Sequence, residues 1–157
     1  MPQPEHVKNK KADKIFVLDA NVLFLGVNIN LMEALLFTTP SIIDEIEVEK
    51  YKEKNRNILN ILQAAILGKK LNVKEPSKKY LQVVEEHSKK TGDVQALSQA
   101  DKELLALTLE LRETQELPVI LYTNDYSMEN VCIHMNLPFS SVKKNGISKK
   151  ITWQAYC

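Results

Sequence analysis

Two stretches of the chain are apolar almost without interruption, and an acidic residue follows each of them. Residues 15–18 (Ile-Phe-Val-Leu) precede Asp19, and residues 119–123 (Val-Ile-Leu-Tyr-Thr) lead through Asn124 to Asp125. Apolar runs of this length predict strands that are buried on both faces, as in a parallel sheet. Ligands collect at the carboxyl ends of such strands, so both acids fall where a functional site is expected.

Capping residues and helical periodicity predict helices between these strands. Ser98 is expected to cap the clearest helix, residues 99–111, with Asp101 as its capping-box partner. Ser41 is expected to cap another helix, with Asp44 as partner. Weaker patterns predict further helices over 47–57, 58–66, 77–89 and 128–135. Leu31, Leu35 and Leu36 are expected to form a short helical face. Further strands are predicted over 37–39, 71–74 and 151–156. This alternation indicates an α/β fold in which helices flank a mostly parallel sheet.

Length and composition narrow the function classes. The 157 residues fit one domain, and we divide them into a flexible basic arm (1–13), a main domain (14–142) and a basic turn with an edge strand (143–157). No apolar run approaches the roughly 18 residues of a membrane span, so no membrane partner is expected. Two cysteines favour a reducing, cytoplasmic setting. A net charge of +1 leaves any attraction to nucleic acid to local patches.

Four acids are expected at one edge of this sheet. Asp19 and Asp125 follow strands, whereas Glu45 and Asp101 lie near the beginnings of helices. Strand carboxyl ends and helix N-termini share one edge of a parallel fold, so the four carboxylates can converge. They repel one another when close, and a hard divalent cation such as Mg²⁺ or Mn²⁺ relieves that repulsion. Such an ion activates water and neutralises a phosphodiester during hydrolysis.

Each acid taken alone also has a structural explanation. Asp101 is explained as a capping residue, Glu45 as one of several solvated helix charges, and Asp125 as a turn residue. Asp19 is the hardest to explain in this way, because an acid directly after a buried strand must find a partner. The set of four acids in this order is therefore more specific than any single member.

Four motifs around these acids resemble the signatures of PIN-domain ribonucleases. They span residues 18–23 (Leu-Asp-Ala-Asn-Val-Leu), 41–46 (Ser-Ile-Ile-Asp-Glu-Ile), 98–107 and 122–125 (Tyr-Thr-Asn-Asp). The resemblance covers about residues 14–142. It implies a PIN-like three-layer α/β sandwich that cleaves single-stranded RNA with Mg²⁺ or Mn²⁺. Carried over by position, the metal ligands are Asp19, Asp101 and Asp125, the assisting catalytic acid is Glu45, and the supporting residues are Asn21, Thr123 and Asn124.

Within that family the chain is most similar to the Nob-one endonuclease branch. Residues 37–46, 92–101 and 120–131 carry this likeness. It implies that the RNA partner is precursor small-subunit ribosomal RNA in a pre-ribosomal particle, cut at its 3′ end. In that branch an aromatic strand leads into a zinc ribbon. Cys157 alone does not supply the four ligands of a ribbon, so bound zinc is not expected.

Basic residues are the expected RNA contacts, whereas the histidines are not assigned to a site. Lys143 and Lys144 are candidates for phosphate contacts, although a solvated turn explains them equally well. His6, His87 and His134 lie away from the acidic motifs at spacings that match no ligand set. Structural or surface roles are therefore expected for all three histidines.

Three rival functions remain. A toxin-type PIN nuclease of a toxin–antitoxin pair shares the acids, and a catalytically silent PIN scaffold in an RNA-processing complex shares the fold. The third rival is a different α/β protein. A dehalogenase-type phosphatase requires an acid two residues after Asp19, where this chain has Asn21, and a receiver domain requires a lysine at a later strand end, where it has Asn124 and Asp125.

Overall fold

The strands form one sheet whose order places the first strand near the centre. The structure, a computed structural model, describes residues 12–25, 28–48, 53–92, 96–143 and 146–152. Its strands are β1 (Ile15–Leu18), β2 (Leu35–Thr38), β3 (Leu71–Val73), β4 (Val119–Tyr122), β5 (Phe139–Lys143) and β6 (Gly146–Thr152). Their order is β3-β2-β1-β4-β5-β6. Strands β1 to β5 run parallel, and β6 is antiparallel to β5.

Helices connect and flank these strands. They are α1 (Ala20–Phe24), a 3₁₀ helix (Ile29–Leu31), α2 (Pro40–Val48), α3 (Glu53–Leu67), α4 (Lys78–Thr91), α5 (Gln99–Thr114) and α6 (Tyr126–Met135). A parallel sheet flanked by helices confirms the predicted α/β class. None of the helices in the described ranges combines the length and apolar character needed to cross a membrane.

The core lies between the central strands and α5. All four residues of β1 and all four of β4 are buried, as their uninterrupted apolar runs predict. Helix α5 contacts both strands and buries residues 104–109 and Leu111. The predicted cap of α5 is confirmed, because Ser98 and Asp101 form a reciprocal capping box. The burial of this helix fixes the position of Asp101 relative to the sheet.

The prediction for the segment before α2 was wrong in its element type. Leu31, Leu35 and Leu36 do not share a helical face, because Leu31 ends the 3₁₀ helix and the two others begin β2. In that strand Leu35 is exposed and Leu36 is buried, and Leu36 pairs with Phe16 of β1. Short apolar runs match both helical and strand spacing. Here the parallel hydrogen-bond ladder with β1 makes the segment a strand.

The start of α2 also differs from the prediction. Pro40 is the first helical residue, so Ser41 lies inside the helix and does not cap it. Thr39 takes the capping contact, since its Oγ1 accepts the N–H of Ile42 at 3.3 Å. Proline suits the first helical position because its φ angle is preset and it has no N–H to satisfy.

Helices α4 and α6 and strand β3 agree with the predictions to within two residues, whereas no helix was predicted at α1. The charged stretch predicted over 47–57 divides between α2 and α3, and residues 49–52 lie outside the described residues. Helix α6 begins at residue 126, earlier than predicted, and the last strand covers 146–152 where 151–156 was predicted. Residues 1–11 of the predicted arm and residues 153–157 are likewise outside the described ranges.

Two serines at helix N-caps offer a matched test of capping. Replacing Ser98 by Ala removes the acceptor of the Asp101 N–H, a bond of 3.1 Å, and should lower the free energy of unfolding by about 1 kcal/mol. Ser77 precedes α4 and makes no side-chain cap bond, and its hydroxyl contacts the Glu110 carboxylate instead. Ser77→Ala should therefore lower that free energy by less than Ser98→Ala does. Urea unfolding at a constant m-value measures both changes. Equal losses in the two variants would contradict the capping account.

Candidate functional site

The chain order of the strands identifies one crevice in the sheet. From β1 the chain proceeds to β2 and β3 on one side, whereas β4 and β5 lie on the other side of β1. The carboxyl ends of β1 and β4 therefore flank a topological switch point, where parallel α/β sheets bind their ligands. Asp19 follows β1 directly, and Thr123 and Asp125 follow β4. Three of the residues singled out in the sequence thus lie at this crevice.

Asp19 is buried and held from two sides. The residue as a whole is only 4% exposed to solvent. One carboxylate oxygen accepts the backbone N–H of Ala20 at 2.7 Å, and the other accepts the hydroxyl of Thr123 at 2.7 Å. The Asp19 backbone N–H extends the ladder by donating to the carbonyl of Tyr122 at 3.1 Å. These contacts supply the partner that a buried acid after a strand requires.

Thr123 joins the ends of the two strands. Its hydroxyl donates to Asp19 and accepts the backbone N–H of Asp125 at 3.1 Å. Asp125 in turn caps α6, since its carboxylate accepts the N–H groups of Ser127 at 2.8 Å and Met128 at 3.3 Å. The buried hydroxyl of Thr123 therefore fixes both acids relative to each other through a continuous set of hydrogen bonds.

Asp101 and Glu45 approach from helices α5 and α2. The Asp101 carboxylate accepts the backbone N–H of Ser98 at 3.0 Å in the capping box. Glu45 is exposed on α2. The two helices are tied together because the hydroxyl of Ser41 donates to the carboxylate of Glu103. That bond is one of the contacts that link the helix of Glu45 to the helix of Asp101.

Electrostatic effects connect the four acids. Burial above all raises the pKa of the Asp19 carboxyl to about 6, and the charges of Asp101 and Glu45 act in the same direction. The hydrogen bonds to Asp19 lower this pKa but do not cancel the rise. Burial also raises the pKa of Asp101, with Asp125 contributing by like-charge repulsion. The structure thus places the predicted acids in one electrostatic neighbourhood.

The chemistry of this donor set suits a hard divalent cation. Carboxylate oxygens that repel one another in a partly buried crevice favour Mg²⁺ or Mn²⁺. Each carboxylate offers about four lone-pair positions, so the capping bonds of Asp101 and Asp125 leave acceptor capacity. Within the described residues no group of three or more His, Cys, Asp and Glu side chains is arranged to hold one metal ion. The charges of these acids interact, but the described side chains do not form a coordination shell.

Fewer observations connect the other predicted site residues with this crevice. Asn21 is exposed in the first turn of α1, and Asn124 is exposed between β4 and α6. Lys143 ends β5, but its side chain and the whole of Lys144 lie outside what the structure describes. Their expected roles as supporting and RNA-binding residues stay predictions.

Two acids near the site were missed in the sequence. Glu129 lies in the first turn of α6, and its pKa is raised by burial and by the charge of Asp125. Its position four residues after Asp125 was the available signal, because residues four apart share one helix face. Glu103 follows Asp101 by two residues, but its contact with Ser41 depends on packing between helices and gave no local signal.

Comparisons with known proteins agree with this architecture. A family described as the PIN domain of ribonuclease matches residues 16–111. An endoribonuclease Nob1 from Pyrococcus abyssi is 36% identical over 141 residues, which are 90% of this chain and 76% of that protein. A ribonuclease VapC1 from Thermoplasma acidophilum is 36% identical over 143 residues, covering 91% of this chain and 66% of that protein.

A third relative matches the chain with similar identity and coverage. An endoribonuclease Nob1 from Methanocaldococcus jannaschii is 35% identical over 144 residues, covering 92% of this chain and 64% of that protein. The chain therefore spans about two thirds of the length of two of these relatives and about three quarters of the other. Since the family match covers most of the chain, including the motifs of Asp19, Glu45 and Asp101, the chain belongs to the PIN-domain family of ribonucleases.

Proposed function

We propose that this chain is a metal-dependent endoribonuclease that hydrolyses single-stranded RNA. The observation that carries the proposal is the buried Asp19 carboxylate at the carboxyl edge of the sheet, whose pKa is raised by burial and by the charges of Asp101 and Glu45. A cation bound beside a carboxylate in such surroundings stabilises the charged form of that carboxylate. The family membership supports the same conclusion.

The contacts of the acids support the roles that we propose for them. Asp19, Asp101 and Asp125 would hold Mg²⁺ or Mn²⁺, and Glu45 would assist. Such an ion lowers the pKa of water and offsets the negative charge of the phosphodiester. Thr123 and the N–H of Ala20 orient the Asp19 carboxylate, and the first turn of α6 orients Asp125. Ligands held in this way need little reorganisation when the substrate arrives.

The proposed substrate is precursor small-subunit ribosomal RNA, cut at its 3′ end in a pre-ribosomal particle. Two relatives named endoribonuclease Nob1, each matching at least 90% of the chain, support this choice. Lys143 and Lys144 would contact the phosphates of the RNA.

A toxin-type ribonuclease is the second candidate function. The relative named ribonuclease VapC1 is as similar to this chain, at 36% identity, as the relatives named Nob1. Both candidates use the same acidic crevice, so they differ in the RNA that is cut and in the presence of an antitoxin partner. The cleavage products of a ribosomal RNA substrate distinguish the two candidates.

Replacing Asp19 by Asn should abolish cleavage and, without metal, should stabilise the fold at neutral pH. The folded carboxyl titrates near 6 and the unfolded one near 3.8. The folded state therefore holds the proton more tightly, and the free energy of unfolding falls as pH rises from about 4 to 6. The penalty is complete above pH 6, where it amounts to roughly 3 kcal/mol at most. Urea unfolding in EDTA at pH 5 and pH 7.5 should show a gain for Asp19→Asn that is larger at pH 7.5.

The matched control for this stability test is Asp13→Asn. The side chain of Asp13 is 76% exposed, so its replacement should change the free energy of unfolding by less than about 0.5 kcal/mol at either pH. A loss of stability in Asp19→Asn at pH 7.5, or a gain that does not depend on pH, would refute the account of a buried charge.

Thr123→Val tests the hydroxyl that joins the two strand ends. The variant keeps the shape of the side chain but removes the donor that lowers the pKa of Asp19. That pKa should rise, so the pH profile of the free energy of unfolding, measured by urea unfolding in EDTA, should move to higher pH. Thr123→Ser keeps the hydroxyl and should follow the wild-type profile. Superimposed profiles for the wild type and Thr123→Val would exclude this role.

The substrate is tested with a single-stranded RNA that spans a small-subunit 3′ junction. The wild type should cut it at one position in Mn²⁺, and either EDTA or Asp19→Asn should abolish the cut, because the acids and the ion act together. Asp13→Asn should cut normally. Products are resolved on a sequencing gel.

Each other outcome points to a rival. Metal-dependent cleavage at scattered positions would contradict the ribosomal substrate and favour the toxin-type nuclease, as would co-purification with a small antitoxin. RNA binding without cleavage in any metal would favour a silent scaffold and overturn the proposed activity.

A further inference from the structure

Two histidines that are distant in sequence meet on the surface away from the acidic crevice. His87 lies on α4 and His134 on α6, 47 residues later in the chain. Their Nδ1 atoms are 2.7 Å apart, and their ring centroids are 4.8 Å apart at an interplanar angle of 68°. At this distance one neutral ring donates its Nδ1–H to the Nδ1 of the other, so the two rings direct the same atom at a shared point.

That shared point is close to the geometry of a metal ion with two imidazole ligands. Zinc–nitrogen bonds are about 2.0–2.1 Å, which separates two ligands of a tetrahedral ion by about 3.3 Å. The observed nitrogen–nitrogen distance of 2.7 Å is therefore less than 1 Å too short. Both rings are at least partly exposed, so a small side-chain rotation opens the distance and an ion can enter from solvent. The donor ring then takes the tautomer that carries its proton on Nε2, which frees both Nδ1 atoms to bind the ion.

The backbone beneath the two rings is held by packing. Val84 and Ser88, on either side of His87, are buried, as are Val131 and Cys132 before His134. Helices α4 and α6 contact each other directly. Two ligands on fixed elements lose little conformational freedom on binding, and this preorganisation raises the affinity for an ion.

The neighbouring groups have opposing effects on cation binding by the two histidines. Burial, then the neighbouring His134 and then the charge of Lys90 lower the pKa of His87, while Glu86 opposes them. A lowered pKa keeps His87 in the neutral form, which is the form that binds metals. Lys90 repels an incoming cation and Glu86 attracts it, whereas His134 lies in the last turn of α6, where the helix dipole favours positive charge.

We propose that His87 and His134 form a two-imidazole site for a divalent transition metal ion of the Zn²⁺, Ni²⁺ and Cu²⁺ class. The site is separate from the acidic crevice and differs from it in ligand chemistry. Imidazole nitrogens select these ions, whereas carboxylates suit Mg²⁺ and Mn²⁺. Water completes the coordination, since no third His, Cys, Asp or Glu joins the pair within the described ranges.

The test uses the full chain without a polyhistidine tag and Ni²⁺ as the probe. Calorimetric titration at pH 7.5 in excess Mg²⁺ should show one equivalent of Ni²⁺ bound to the wild type. His87→Gln and His134→Gln should each lose that binding, because one remaining imidazole has no chelate partner. His6→Gln is the matched control, since it removes the third histidine of the chain, and it should bind as the wild type does.

Two further measurements keep the outcome independent of folding. In wild-type protein, Ni²⁺ should broaden the imidazole NMR signals of His87 and His134 before other signals. Both variants should retain RNA cleavage in Mn²⁺, because neither ring belongs to the acidic crevice. Absence of Ni²⁺ binding in the wild type, binding that survives both substitutions, or binding lost in His6→Gln would falsify the proposal.

Discussion

The burial of one carboxylate is the constraint on which this structure depends. Asp19 directly follows the strand next to the topological switch point and is almost fully enclosed. A charged group in that position is unfavourable unless donors surround it. The first residue of α1 and the hydroxyl of Thr123 supply them, and a neighbouring hydroxyl, that of Thr38, satisfies the carbonyl of Leu18 at 2.9 Å. The local backbone is thus arranged to give a buried acid the donors that it requires.

The structural and catalytic explanations of these acids are compatible. Asp19, Asp101 and Asp125 each accept a backbone N–H at the beginning of a helix. Helix N-termini carry partial positive charge, so they reduce the repulsion between carboxylates gathered at one edge. Capping also fixes the direction of each side chain. A capping role for Asp101 therefore does not argue against a role in binding a metal ion, because the same bond that caps the helix orients the ligand.

The parts of the fold that were predictable have strong local signals. Strands β1 and β4 are uninterrupted apolar runs, and α5 has a cap and a long buried face, so each was identified from its own residues. Helix α1 has five residues, too few for a periodicity, and Leu35 and Leu36 match two element types. The contact of Ser41 with Glu103 and the pairing of His87 with His134 arise only when distant helices pack together. Local pattern carries no information about such contacts.

Helix α6 connects the acidic crevice with the histidine pair. Asp125 caps its beginning, His134 lies in its last turn, and its 10 residues span about 15 Å. Met128 ties the beginning of this helix to the crevice, because its sulfur lies 3.6 Å from the Thr123 hydroxyl that also contacts Asp19. An ion held between α4 and α6 would restrain the far end of the helix. The Thr123 hydroxyl thus contacts both Asp19 and Met128, and Met128 lies in the same helix whose last turn carries His134.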